Sequence, residues 1–139
     1  MSDLIHSVLI SYNRPELTEQ AIRSYWASVR LPHSLVVVDN GSHQDTVKML
    51  RRMAKMHGFQ FLELGENRYP GYATNFGWAL MPEETTLLHR ADNDFVFLHG
   101  WDQHGRPDPH LVGESVLAQT GYQGTAEAWS AAPLSSSLD

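Results

Sequence analysis

Four times the chain shows one pattern: a strand-like stretch, apolar or alternating, stops abruptly at a cluster of Asn, Asp, Gly, Ser or Arg. Ser7-Val8-Leu9-Ile10 stops at Ser11-Tyr12-Asn13-Arg14-Pro15, and Leu35-Val36-Val37-Val38 stops at Asp39-Asn40-Gly41-Ser42. Phe59 to Leu64 alternates like a strand and opens into a loop from Gly65 to Gly71, and Thr86-Leu87-Leu88-His89 ends at Arg90-Ala91-Asp92-Asn93-Asp94. Uninterrupted apolar runs of this length suit strands buried on both faces, the habit of parallel sheets. Parallel neighbours need crossovers, and the intervening segments supply them. Leu17, Ala21, Ile22, Tyr25, Trp26 and Val29 recur at helical spacing up to about Ser28, and Pro32 ends the segment. Asn13 is the expected N-cap of this helix, with Pro15 at its first turn and Glu16 three residues after the cap. A second helix is expected from a Ser42/Asp45 capping box to about His57, with Gly58 as its stop, and a short third one from Tyr72 to Leu80. Phe95-Val96-Phe97-Leu98 reads as more strand, and His99-Gly100-Trp101 as a turn. The alternation predicts an α/β fold: a Rossmann-like, mainly parallel sheet with helices on both faces.

With 139 residues the chain suits one domain, read here as 1–118, and the stretch 119–139, rich in Ala, Ser, Thr and Gly, reads as a poorly ordered tail. The absence of cysteine removes disulfides, thiol catalysis and cysteine metal sites. A net charge of −6 argues against gripping nucleic acid or an anionic membrane through bulk charge. No apolar run approaches the roughly 20 residues of a transmembrane segment. The start, MSDLIHSVLI, lacks the basic and apolar regions of a secretory signal, so the cytoplasm is the expected compartment.

In α/β sheets ligands bind at the carboxyl ends of the strands, where the strand order reverses. That rule selects Ser11–Arg14, Asp39–Ser42, Gly65–Asn75 and Arg90–Asp94. Asp92 and Asp94, two apart at the end of an apolar strand, are suited to share Mg²⁺ or Mn²⁺, which take oxygen ligands and leave positions for phosphate oxygens. The plain alternative is a solvated turn. Asp39 is placed to accept from a base or ribose, and plain turn and cap chemistry competes with that role. Gly71, Ala73 and Gly77 allow close backbone approach, either to an anion at a helix N-terminus or to the sheet. The Gly-x-Gly-x-x-Gly fingerprint and the phosphate loop ending in Gly-Lys-Ser/Thr are both missing, which disfavours the common hydride-transfer and NTP-hydrolysis chemistries. His89, His99, His104 and His110 lack the spacing of a helical zinc site, and Trp26 and Trp78 lie on apolar faces as core residues.

Taken together, Ser7-Val8-Leu9-Ile10-Ser11-Tyr12-Asn13-Arg14-Pro15, Val37-Val38-Asp39-Asn40-Gly41-Ser42, Glu66-Asn67 through Asn75-x-Gly77, and Asp92-Asn93-Asp94 resemble the family 2 glycosyltransferases of GT-A fold over about residues 6–102. The resemblance implies a nucleotide-diphosphate sugar as donor, a divalent cation (Mg²⁺ or Mn²⁺) as cofactor, and transfer that inverts the anomeric configuration. It implies that Ser11, Tyr12 and Arg14 border the base and diphosphate, that Asp39 meets the base, and that Arg90 touches phosphate. Gly71 and Asn75 fall within the donor-binding motif, and Asp92 and Asp94 flank the ribose and the metal. The chain departs from the family pattern at Asn40, where a second acid is common, and at Tyr69, where glycine is common and Gly71 is the nearest substitute. It also stops soon after the acidic motif, so the acceptor-binding half is read as shortened, the acceptor as unknown and the general base as unassigned, with Glu114 and Glu127 the late acids. The alternatives are an inactive nucleotide-sugar-binding fragment, a nucleotidyltransferase-like domain and an interaction domain. A sheet edge left uncovered predicts a homodimer or aggregation.

Overall fold

The structure is a computed structural model and describes residues 3–103 and the backbone of 116–119. The elements run β1 (Ile5–Ser11), α1 (Pro15–Ser28), β2 (His33–Asp39), α2 (Gln44–His57), β3 (Gln60–Glu63), α3 (Pro70–Trp78), β4 (Leu87–Asp92) and β5 (Val116–Gln119). They form one sheet of order β3-β2-β1-β4-β5. The first four strands are parallel and β5 is antiparallel to β4. The expected α/β architecture is therefore present. The strand between β4 and the tail was not expected, and the edge of β4 is paired rather than open.

Burial on both faces explains the apolar runs. One face carries Ile5, Leu9, Leu35, Val37, Leu87 and Ala91 under α1 and α2, which contribute Ala21, Ile22, Tyr25, Leu50 and Met53. The other carries Val8, Ile10, Val36, Val38 and Leu88 under α3, through Ala73 and Trp78. The small residues of α3 serve this packing: a Cβ on Gly77 would lie 2.6 and 2.7 Å from the two methyl groups of Val8. His6 ties down the same helix, its Nε2 donating to the carbonyl of Gly77 at 3.0 Å while Nδ1 meets Ser34 Oγ at 2.6 Å.

Three local expectations are corrected. Asn13 does not cap α1. Arg14 occupies the cap position without a side-chain cap bond, and both residues are left-handed, at φ 54 and 51°. Ser42 does not cap α2 either; His43 stands there, and the Ser42 hydroxyl turns back to Asp39. Phe95–Leu98 is not strand. It is a strap that leaves the sheet and crosses the end of α1. There the amide of Phe97 donates to Ser24 Oγ at 2.9 Å and Trp101 Nε1 donates to Ser28 Oγ at 3.0 Å. Asp102 completes the strap, one carboxylate oxygen accepting from the amides of Arg30 and Leu31 at 2.7 and 2.9 Å. Gly58 ends α2 in the left-handed conformation as expected. The tail from 120 onward, His104, His110, Glu114 and Glu127 lie outside the described residues.

Candidate functional site

The strand order reverses at β1, which has β2 on one side and β4 on the other. The rule that ligands bind where the strand order reverses points to the region around the loop after β1 and the turn after β4. Ile10 is in register with Asp92, and Ser11 with Asp39, so the three loops leave the sheet at one level. Leu88, Arg90 and Asp92 alternate onto the α3 face, while Asp39 falls on the face of Leu35 and Val37. The two acids thus flank β1 from opposite sides of the sheet.

The second loop is the most tightly built. Asp39 is 1% exposed. Its Oδ2 accepts from the amides of Gly41 and Ser42 at 3.2 and 2.9 Å, and its Oδ1 accepts from the Ser42 hydroxyl. In this conformation the carboxylate closes its own turn. Gly41 adopts φ 96°, and a Cβ there would lie 2.7–2.9 Å from backbone atoms of Glu66 and Asn67, so glycine is required where the second and third loops touch. Asn40 fastens the same contact: Nδ2 donates to Asn67 Oδ1 at 3.2 Å and Oδ1 accepts from the amide of Arg68 at 2.7 Å.

The first loop is joined to its neighbours by Asn13. Its amide donates to Ser42 Oγ at 2.7 Å and its Oδ1 accepts from the amide of His43 at 2.9 Å. Ser11 is fully buried; its carbonyl accepts from the amide of Asn40 at 2.8 Å, and its hydroxyl has no hydrogen-bond partner among the described residues. Tyr12 and Arg14 are exposed on the lip. In the third loop Tyr69 holds φ 70°, ψ 150°, with Gly71 in the first turn of α3 and Asn75 further along it. Arg68 pairs with Glu66 at 2.9 Å and lies over the ring of Tyr72.

In the fourth segment Arg90 and Asp92 lie on β4 itself, and Asp94 is exposed beyond it. The Arg90 guanidinium reaches Asp92 Oδ1 at 3.4 Å, while its Nε is buried without a partner among the described residues. Among the described residues no three His, Asp or Glu side chains gather into a metal cage. Two carboxylates at one strand end instead suit an Mg²⁺-like cation, which completes its shell with water and phosphate oxygens. Two residues escaped the sequence reading: Thr18, buried in the first turn of α1, and Asn93 as a structural link, whose bonds are described below. A polar residue on the apolar side of a helix, four positions after a loop, was the available signal for Thr18.

A family model described as "Glycosyl transferase family 2" matches residues 7–104, a span that holds all four loops. The chain belongs to glycosyl transferase family 2. Solved structures agree on the GT-A fold. A mannosyltransferase from Pyrobaculum calidifontis, in complex with GDP-Man and Mn²⁺, superposes with a TM-score of 0.60 at 22% identity, over 67% of this chain and 28% of that one. TarS 1–349 of S. aureus in complex with UDP-GlcNAc gives 0.56 at 18% identity, over 66% of this chain and 26% of that one. The family 2 domain described here thus spans about a quarter of the length of these proteins. No curated protein sequence matches the chain. Among the described residues no helix is long and apolar enough to cross a membrane.

Proposed function

We propose that this domain binds the nucleotide-diphosphate part of a sugar donor in the crevice around β1, with Mg²⁺ or Mn²⁺ between Asp92, Asp94 and the diphosphate, and that it serves transfer of the sugar to an acceptor. The observation that carries the reading is the convergence of the four loops at one end of the sheet, with Arg90 and Asp92 at the point where the strand order reverses. The structures with GDP-Man and Mn²⁺ and with UDP-GlcNAc support the ligand class. Tyr12 and Arg14 line the lip toward the base and diphosphate, with Ser11 in the floor beneath them. Asp39 holds the base-side turn and has carboxylate lone pairs left for a base, while Gly71 and Asn75 border the donor from α3. In the transfer, the bond from the anomeric carbon to the diphosphate oxygen breaks, an acceptor oxygen bonds that carbon, and the acceptor proton leaves to a base. A cation held by Asp92 and Asp94 would, together with Arg90, offset the charge developing on the departing diphosphate.

The test is thermal unfolding with UDP, GDP and their sugars, in Mn²⁺ and in EDTA. A diphosphate at 100 times its dissociation constant in Mn²⁺ stabilises the fold by about 2.7 kcal/mol. Equal stabilisation in EDTA removes the cation from the proposal, and no stabilisation by any nucleotide removes the site. Release of free nucleoside diphosphate on adding candidate acceptors separates transfer from binding alone.

A further inference from the structure

We propose that Asn93 is a positioning residue: it bolts the Asp92–Asp94 turn to the loop after β1, so that cation and nucleotide meet one preset geometry. The inference rests on the site proposed above and adds the device that holds its two halves in register. The middle residue of an acidic triplet would ordinarily be free to face solvent. Here its Nδ2 donates to Thr18 Oγ1 at 2.9 Å and to the carbonyl of Asn13 at 3.2 Å, with the carbonyl of Tyr12 at 3.5 Å. Thr18 is fully buried, and its hydroxyl donates to the carbonyl of Arg14 at 3.1 Å, with the carbonyl of Asn13 at 3.3 Å as a second acceptor. That leaves the Thr18 oxygen free to accept from Asn93. All three groups around Nδ2 are therefore acceptors, so the position demands a donor.

The bolt reaches beyond one contact. Asn13, whose carbonyl receives Asn93, also donates its amide to Ser42, and Ser42 donates to Asp39. A continuous path of hydrogen bonds thus runs from the acidic turn after β4 to the base-side turn after β2, across a loop whose residues 13 and 14 are both left-handed. Groups one shell out from a metal set the direction of its ligands, and their loss typically costs about 10–100-fold in metal affinity.

Asn93→Asp decides the matter, because it keeps the shape and adds a carboxylate to a proposed cation site. A residue that merely sits in the turn, or that ligates the cation, tolerates or gains from that charge. A positioning residue does not: the new oxygen faces the carbonyls of Asn13 and Tyr12, and Thr18 can turn to it only by abandoning Arg14. Titration calorimetry of UDP and GDP, in Mn²⁺ and in EDTA, gives the gain in nucleotide affinity that Mn²⁺ confers. That gain is expected to fall about tenfold or more in Asn93→Asp, with the EDTA affinity within about twofold of wild type. Asn93→Ala, which removes the donor and adds no charge, is expected to lose the gain in the same direction and serves if the Asp variant does not fold. A variant that lowers only the unfolding temperature and keeps the full Mn²⁺ gain, or an Asn93→Asp chain that binds more tightly, overturns the inference. If wild type itself shows no Mn²⁺ gain, the proposed site fails; if wild type shows it and the variants retain it, only the role of Asn93 fails.

Discussion

An amide at position 40 does what a carboxylate cannot. Asn40 is 3% exposed and both gives and receives a hydrogen bond, to Asn67 Oδ1 and from the amide of Arg68. Asn67 Oδ1 already accepts from the amide of Tyr69, so it has no proton to offer back. Asn40→Asp therefore sets a buried carboxylate against an acceptor, and a cost of about 1–3 kcal/mol is expected. Urea unfolding of wild type and variant measures it; an unchanged midpoint would show the loop junction to be slack. Asp39→Ala tests the neighbour. The side chain is buried and accepts three hydrogen bonds, so stability as well as nucleotide affinity should fall. At this scale the sequence was legible as residue types at strand ends. It was not legible as partners, because Asn13, Ser42 and Asn93 are all good turn formers locally and their long-range bonds cross 29 to 81 positions.

At the scale of elements the apolar runs and the Gly58 stop marked their strands and helix correctly, because burial on two faces leaves a plain signature. Helix starts were misplaced by one residue or so, since the expected capping side chains were spent on neighbouring loops. The apolar stretch Phe95–Leu98 reads as strand, yet Phe97, with Trp101 from the turn beyond it, buries against Tyr25 and His89 beside the sheet. Helix α3 gives the sharpest element-level prediction. Gly77→Ala places a methyl group inside contact distance of Val8 and Val38, at 2.6–3.1 Å. Overpacking of this kind costs about 1–3 kcal/mol. Thermal unfolding reads the loss, and Val8→Ala in the same chain should recover part of it by making room. A Gly77→Ala chain as stable as wild type would show that α3 rides higher on the sheet than described.

For the whole molecule the buried histidines set a pH limit. His89 is fully enclosed, and Ser7 Oγ, 2.9 Å from its Nδ1, also accepts from the Tyr25 hydroxyl at 2.9 Å. Burial pushes the imidazole down to about 3, outweighing the attraction of Asp102, and burial also lowers His6. Both rings are neutral in the fold and protonate readily once unfolded. The unfolded chain thus binds more protons below pH 6.5, and stability is fully present above that value and declines as pH falls toward 3. For His89 the slope approaches about 1 kcal/mol per pH unit once the unfolded ring is largely protonated, and His6 contributes in the same direction. Denaturant unfolding at pH 7, 6 and 5 checks it, and a flat profile would show that burial does not hold these rings neutral.

The order of strands also carries a consequence for the chain as it is made. β1 emerges first, yet one of its two neighbours is β4, some eighty positions later. Until Leu87–Asp92 leaves the ribosome, Ile5–Ile10 presents an unpaired row of peptide groups with apolar side chains on both sides. Nascent chains carrying only β1 to α3 are thus at their most adhesive just before completion of the sheet, and chaperone dependence should peak at that length. The strand that organises the crevice is the same one that leaves the growing chain exposed the longest.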